Sequence, residues 1–131
     1  MFLDSSAILA LLLEEPDAAD LAARIEETGT GLASSPLVAV ESALNLARIR
    51  NVPISVAYEV VMEFLDTLRV EVIPIGPEIG MQAMQAYAAF GKGTGHPARL
   101  NLIDAFSYAC AKVRDVPLLY KGEDFSRTDL G

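Results

Sequence analysis

At 131 residues, 52% of them apolar and 21% charged, the chain can bury roughly two-thirds of its unfolded surface and reads as a single domain over residues 1–131. One cysteine precludes an internal disulfide, and one His with one Cys argues against a zinc centre or a Ser-His or Cys-His triad. The net charge of −8 weighs against a polyanion partner until it is divided along the chain.

Residues 1–80 hold 13 acids against Arg24, Arg48, Arg50 and Arg69. Residues 81–131 hold 5 against Lys92, Arg99, Lys112, Arg114, Lys121 and Arg127, so the last third turns basic if a cation offsets its acids. The apolar run Ala7–Leu13 is closed by Glu14-Glu15, too short for a membrane span, and no Lys or Arg precedes Arg24, so no secretory leader is expected. Cys110, between two alanines, is expected to be a buried thiol in a reducing cytoplasm.

In chain order, short strands are predicted at Met1–Asp4, Gly31–Ser34, Val70–Ile75 and Pro117–Lys121, with helices between them. Ala7–Glu14 and Ala18–Glu27 flank Pro16, with Asp17 as N-cap of the second. Ser35-Pro36 reads as N-cap and first helical position of a helix to about Arg50. Pro53 and Ser55 open another to about Leu68, and Pro77 opens one to about Phe90, whose Met81 and Met84 read as core or interface. The glycine-rich stretch Gly91–Pro97 is a loop, after which Asn101 caps a helix to about Arg114. His96, before Pro97, reads as a surface residue. This alternation predicts an α/β fold, a three-layer α/β/α domain around a short, mainly parallel sheet, whose ligands gather at the carboxyl ends of the strands.

Four acids stand in junctional or apolar settings. Asp4 ends the first strand, where it caps the following helix or serves a site, and Ser6 can hold it in orientation. Glu41 has Leu37, Val38, Leu44 and Asn45 as helical neighbours, a mostly apolar face on which a carboxylate calls for a cation. Asp104 follows Asn101 by three residues, so Asn-x-x-Asp is also a variant capping box. Asp124 follows Gly122, where the chain can turn sharply off the last strand, and Glu123 beside it competes for the same position. Oxygen donors without His or Cys suit Mg²⁺, with Mn²⁺ as a substitute.

With these residues in this order, Phe2-Leu3-Asp4-Ser5-Ser6-Ala7, Val40-Glu41, Asn101-Leu102-Ile103-Asp104 and Lys121-Gly122-Glu123-Asp124-Phe125, the chain resembles the PIN-domain family, and within it the VapC-like ribonuclease toxins of toxin–antitoxin pairs. The resemblance implies a metal-dependent endoribonuclease with Asp4, Glu41, Asp104 and Asp124 as its acidic centre, supported by Ser6 and Asn101. It also implies a homodimer inhibited by a cognate antitoxin. Many such domains carry an Asp directly after the last strand; here that position is Gly122.

On this reading Asp4 and Asp104 hold Mg²⁺, and Glu41 or Asp124 orients or deprotonates the attacking water, or holds a second ion. Arg99, Lys112, Arg114, Lys121 and Arg127 offer cations to RNA phosphates, the alternative for each being a solvated surface charge. Two other functions compete: a catalytically silent binding module of the same fold, and a phospho-acceptor receiver domain, for which Lys121 fits but the acidic pair and acceptor Asp are missing.

Overall fold

The computed structural model describes residues Met1–Gly131. Its elements run β1 (Phe2–Leu3), α1 (Ser5–Leu12), α2 (Ala18–Thr28), β2 (Ala33–Ser34), α3 (Pro36–Arg50), α4 (Ile54–Thr67), β3 (Glu71–Val72), α5 (Pro77–Phe90), α6 (Leu102–Arg114) and β4 (Leu118–Leu119). The four strands form one parallel sheet in the order β3-β2-β1-β4, with Phe2 opposite both Ala33 and Leu118. Helices on its two faces complete the three-layer α/β/α arrangement. No helix is long and apolar enough to cross a membrane.

Each strand lies where it was predicted but is only two residues long. The ladder extends slightly beyond these limits, through Phe2 N–H to Pro117 O (2.8 Å), Asp4 N–H to Leu119 O (3.0 Å) and Ile73 N–H to Ser34 O (2.9 Å). It stops there because the next residues are helix caps: Asp4 starts α1 and Ser35 starts α3. Every residue of β1, β2 and β4 is buried, which explains the continuous apolar character of β1 and β4.

The helix limits follow local chemistry closely. Ser35 accepts the Val38 N–H at 3.2 Å, with Pro36 at the first helical position of α3. Asn101 and Asp104 form a reciprocal capping box at α6. Two expectations need correction. The first helix begins at Ser5 rather than Ala7, because Asp4 itself is the cap. Asp17 occupies the N-cap position of α2 but has helical backbone angles and makes no side-chain cap bond.

The core wraps the sheet with Phe2, Leu3, Ile8, Val38, Leu65, Leu100, Leu118, Leu119 and Phe125. Cys110 is buried there as expected, and burial pushes its thiol up to about 11. The methionines of α5 are not core: Met81 and Met84 are 56% and 62% exposed.

Candidate active site

The site is built from the carboxyl end of the sheet. Asp4 leaves β1 directly into α1, and its Oδ2 accepts from Ser6 N–H (3.1 Å) and Ser6 Oγ (2.7 Å). Ser6 Oγ in turn accepts the Lys121 N–H at 3.0 Å, tying the cap of α1 to the exit of β4. Capping and orientation, alternatives in the sequence, are thus performed together. Asp4 is only 3% exposed, and its second oxygen, Oδ1, has no hydrogen-bond partner. A buried carboxylate oxygen in that state is costly unless something positive meets it.

Glu41 reaches the same cleft from α3. Its Oε1 accepts a hydrogen bond from the Ser5 hydroxyl, which joins α1 to α3. Burial pushes the Glu41 carboxyl above its ordinary value; the Ser5 bond opposes this, and the charges of Asp4 and Asp124 add to it. Of the helical neighbours of Glu41, Val38 is buried, Leu37 and Asn45 are half-buried and Leu44 is exposed, so the expected apolar face is only partly covered.

Asp104 enters from the first turn of α6, where its Oδ2 accepts the Asn101 N–H (3.1 Å) and Asn101 Oδ1 accepts the Asp104 N–H (2.8 Å). It too does double duty. Burial pushes its carboxyl up to about 7; the Asn101 bond works against this, and the charges of Asp4, Asp124 and Glu41 push it further up. That list of charges is the electrostatic signature of a single cluster. Asp124 swings in after Gly122, whose φ of +94° takes the chain off β4 as glycine permits, while Phe125 anchors the turn in the core.

Asp4, Glu41, Asp104 and Asp124 line one cleft of about 350 Å³ together with Ser5, Ser6 and Asn101. A neighbouring cavity of about 420 Å³ shares Asn101, Asp104 and Asp124. Glu123 lines only this second cavity, so Asp124 is the acid that belongs to the cluster. None of the four is ion-paired.

As the side chains stand, no three His, Cys, Asp or Glu groups converge closely enough to grip one ion, so the ligand set is not closed. The donor chemistry nevertheless fits a hard dication. All donors are oxygens, one of them is a buried orphan, and the acids raise the proton affinity of Glu41 and Asp104 with no ion pair to relieve them.

The predicted cations separate. Arg99 lines the second cavity. Lys112 pairs with Asp129 at 2.8 Å and Lys121 with Glu15 at 3.1 Å. Arg114 pairs with Glu71 at 2.6 Å and lies with Met1, Gly31 and Val116 at the amino edge of the sheet, opposite the acids. Lys112, Arg114 and Lys121, expected to offer cations to phosphates, are thus each paired with a carboxylate, and Arg114 lies away from the acids. Sequence reasoning also passed over Ser5 and Lys92. Ser5 carries no local signal, since its partner is 36 residues away; Lys92 sits in the glycine-rich loop before Asn-x-x-Asp. His96 is partly exposed, its Nδ1 accepting the Ala98 N–H at 3.0 Å and its ring edge-on to Phe90.

The PIN-domain family model matches residues 1–130. The chain belongs to the VapC-like branch of the PIN-domain family. It is 41% identical to a VapC ribonuclease of Rhizobium meliloti (strain 1021), covering 99% of both chains. It is 38% identical to ribonuclease VapC42 of Mycobacterium tuberculosis (strain ATCC 25618 / H37Rv), covering 99% of this chain and 96% of that one. Among solved structures, the fold matches Mycobacterium tuberculosis VapC20, described as a Sarcin-Ricin loop cleaving toxin, with a TM-score of 0.71 at 21% identity, covering 95% of this chain and 92% of that one. It also matches a chain of a toxin–antitoxin complex from Klebsiella pneumoniae, with a TM-score of 0.69 at 17% identity, covering 95% and 89%. Membership of the PIN-domain family sets the receiver-domain alternative aside.

Proposed function

We propose that this PIN domain is a metal-dependent endoribonuclease, the toxin of a toxin–antitoxin pair, which hydrolyses RNA phosphodiester bonds at the cleft of Asp4, Glu41, Asp104 and Asp124. The names of the 41% and 38% identical relatives support ribonuclease activity. The observation that carries the site is Asp4 Oδ1, buried without a partner in a cleft that holds three more unpaired carboxylates.

Asp4, fixed by Ser6, and Asp104, fixed by Asn101, would hold Mg²⁺ or Mn²⁺. The ion supplies charge neutralisation and polarises a phosphate oxygen. Ser5 occupies Glu41 Oε1 and so leaves Oε2 to take the proton of the attacking water. Burial raises the proton affinity of Glu41, which strengthens it as a base. Asp124, beyond the turn at Gly122, would orient the water or the ion. In-line attack would form a P–O bond to the water oxygen as the bond to the leaving sugar oxygen breaks, that oxygen taking a proton from solvent.

The test is cleavage of single-stranded RNA by the purified chain with Mg²⁺, with EDTA, and by Asp4→Asn and Asp104→Asn variants. Activity that persists in EDTA or in both variants overturns the reading. The unclosed ligand set favours a second reading, a silent binding module of the same fold. Titration calorimetry with Mn²⁺ separates the two: the module gives no heat that Asp104→Asn removes.

Two exposed apolar faces support the partner part of the proposal. Met84, Tyr87, Leu102 and Phe106 line a groove between α5 and α6, suited to a second copy in a homodimer. Val40 and Leu44, one turn apart on α3, expose apolar surface suited to an antitoxin. A cytoplasmic location agrees with the single, buried thiol.

A further inference from the structure

The six basic side chains of residues 81–131 fall into two sets. Lys112, Arg114 and Lys121 are each held by a carboxylate. Lys92, Arg99 and Arg127 have no ion-pair partner, and all three line the 420 Å³ cavity that adjoins the acidic cleft at Asn101, Asp104 and Asp124. They stay unpaired although Glu123 and Asp124 line the same cavity.

The backbone that carries two of them is pinned. Lys92 N–H donates to Leu100 O at 2.8 Å and Leu100 N–H to Phe90 O at 2.9 Å, closing the loop at its base. Arg99 sits at a φ of +50°, and a Cβ on Gly91 would come within 2.3 Å of Tyr87 O, so this base is tightly fitted against α5. Arg127 follows the Phe125 anchor, buried in the core. Three cations without an ion pair are thus presented to one hollow, which Asp104, Glu123 and Asp124 also line. On the other side of the acids Arg48 is the lone cation lining the cleft.

We propose that Lys92, Arg99 and Arg127 form a one-sided phosphate track, which grips the RNA backbone on one flank of the cleaved bond. This rests on the nuclease reading for its substrate and extends it to how the strand is seated. The uneven placement, three cations on one flank against one on the other, means that the strand is held mainly by one end. Lys112, Arg114 and Lys121 each face a carboxylate, so a phosphate has to compete with that partner for them.

The test uses the full chain carrying Asp104→Asn, in EDTA, so that binding is read without cleavage. A fluorescein-labelled 12-nucleotide single-stranded RNA is titrated by anisotropy across a KCl series. Each phosphate contact on single strands contributes about 0.7 to the slope of log K against log salt. Replacing Lys92, Arg99 and Arg127 by Gln should therefore flatten the slope by about 2. Replacing Lys112, Arg114 and Lys121 by Gln should leave it unchanged.

Equal effects of the two sets, or no change from the first, overturn the proposal. Should the triple variant misfold by circular dichroism, the single Arg127→Gln variant must still flatten the slope by about 0.7. With the unsubstituted chain and Mn²⁺, trimming the RNA from one end should raise KM and trimming from the other should not. Symmetric losses overturn the one-sidedness. A flattened slope without any RNA cleavage removes the nuclease reading and keeps the track; cleavage with an unaltered slope does the reverse.

Discussion

Ser6 Oγ donates to Asp4 Oδ2 at 2.7 Å and leaves Asp4 Oδ1 with no partner. One oxygen of the carboxylate is thereby fixed while the other is offered to the cleft. The Ser6→Ala chain keeps the backbone N–H bond to Asp4 and so keeps the helix cap. Its Mn²⁺ affinity should fall about 10- to 100-fold in titration calorimetry, the usual cost of losing the group that orients a ligand. Unchanged affinity would mean that the backbone alone aims Asp4.

The Ser5–Glu41 bond makes a different prediction. It favours the ionised carboxylate, so Ser5→Ala should raise the proton affinity of Glu41 further. The acidic limb of the pH–rate profile for RNA cleavage should move to higher pH in Ser5→Ala and vanish in Glu41→Gln. A limb that stays in place in both variants would remove Glu41 as the base.

For Asp104 the direction is set by burial. Its carboxyl is raised from 3.8 to about 7, so the folded chain binds more protons than the unfolded one between those values. Without divalent metal, stability should therefore fall as pH rises from about 4 to about 7. Thermal melts in EDTA should give a higher Tm at pH 5 than at pH 7.5, with the difference shrinking in Asp104→Asn. Adding Mn²⁺ at pH 7.5 should raise Tm by about 3 °C or more, since binding only the folded form stabilises it. A flat pH dependence in EDTA would show that the acids are not uncompensated.

The α5–α6 groove yields a hydrodynamic prediction. Met84 is exposed at its edge, and Met84→Glu would place a charge on an apolar surface. Sedimentation equilibrium should show a dimer that this substitution converts to monomer. A monomer before substitution would remove the homodimer.

Much of this was legible in the chain because caps are local. Ser35-Pro36, Pro77 and Asn101 mark the starts of α3, α5 and α6 with chemistry contained in a few residues. Asp4 and Asp104 were legible as acids in unfavourable places, though each turned out to be a cap as well as a member of the cleft. Strand lengths were not legible, since apolar runs such as Val70–Ile75 do not reveal where pairing stops. The division of the cations was hidden for a stronger reason. Lys112, Arg114 and Lys121 meet acids 17, 43 and 106 residues away, pairings that only the assembled fold brings about. Asp17 failed as a cap because its backbone is already helical there.

The brevity of the strands has a consequence for how this protein tolerates change. With two residues per strand, Phe2 and Leu3 together with Leu118 and Leu119 are the only strand residues beneath Asp4 and the Asp124 turn. A trimmed side chain among them opens a void beneath Asp4, which follows Leu3 directly. Substitutions that alter no charge at all can then silence the enzyme by letting its acids drift, so inactive variants of this chain should map to oily residues as readily as to acidic ones.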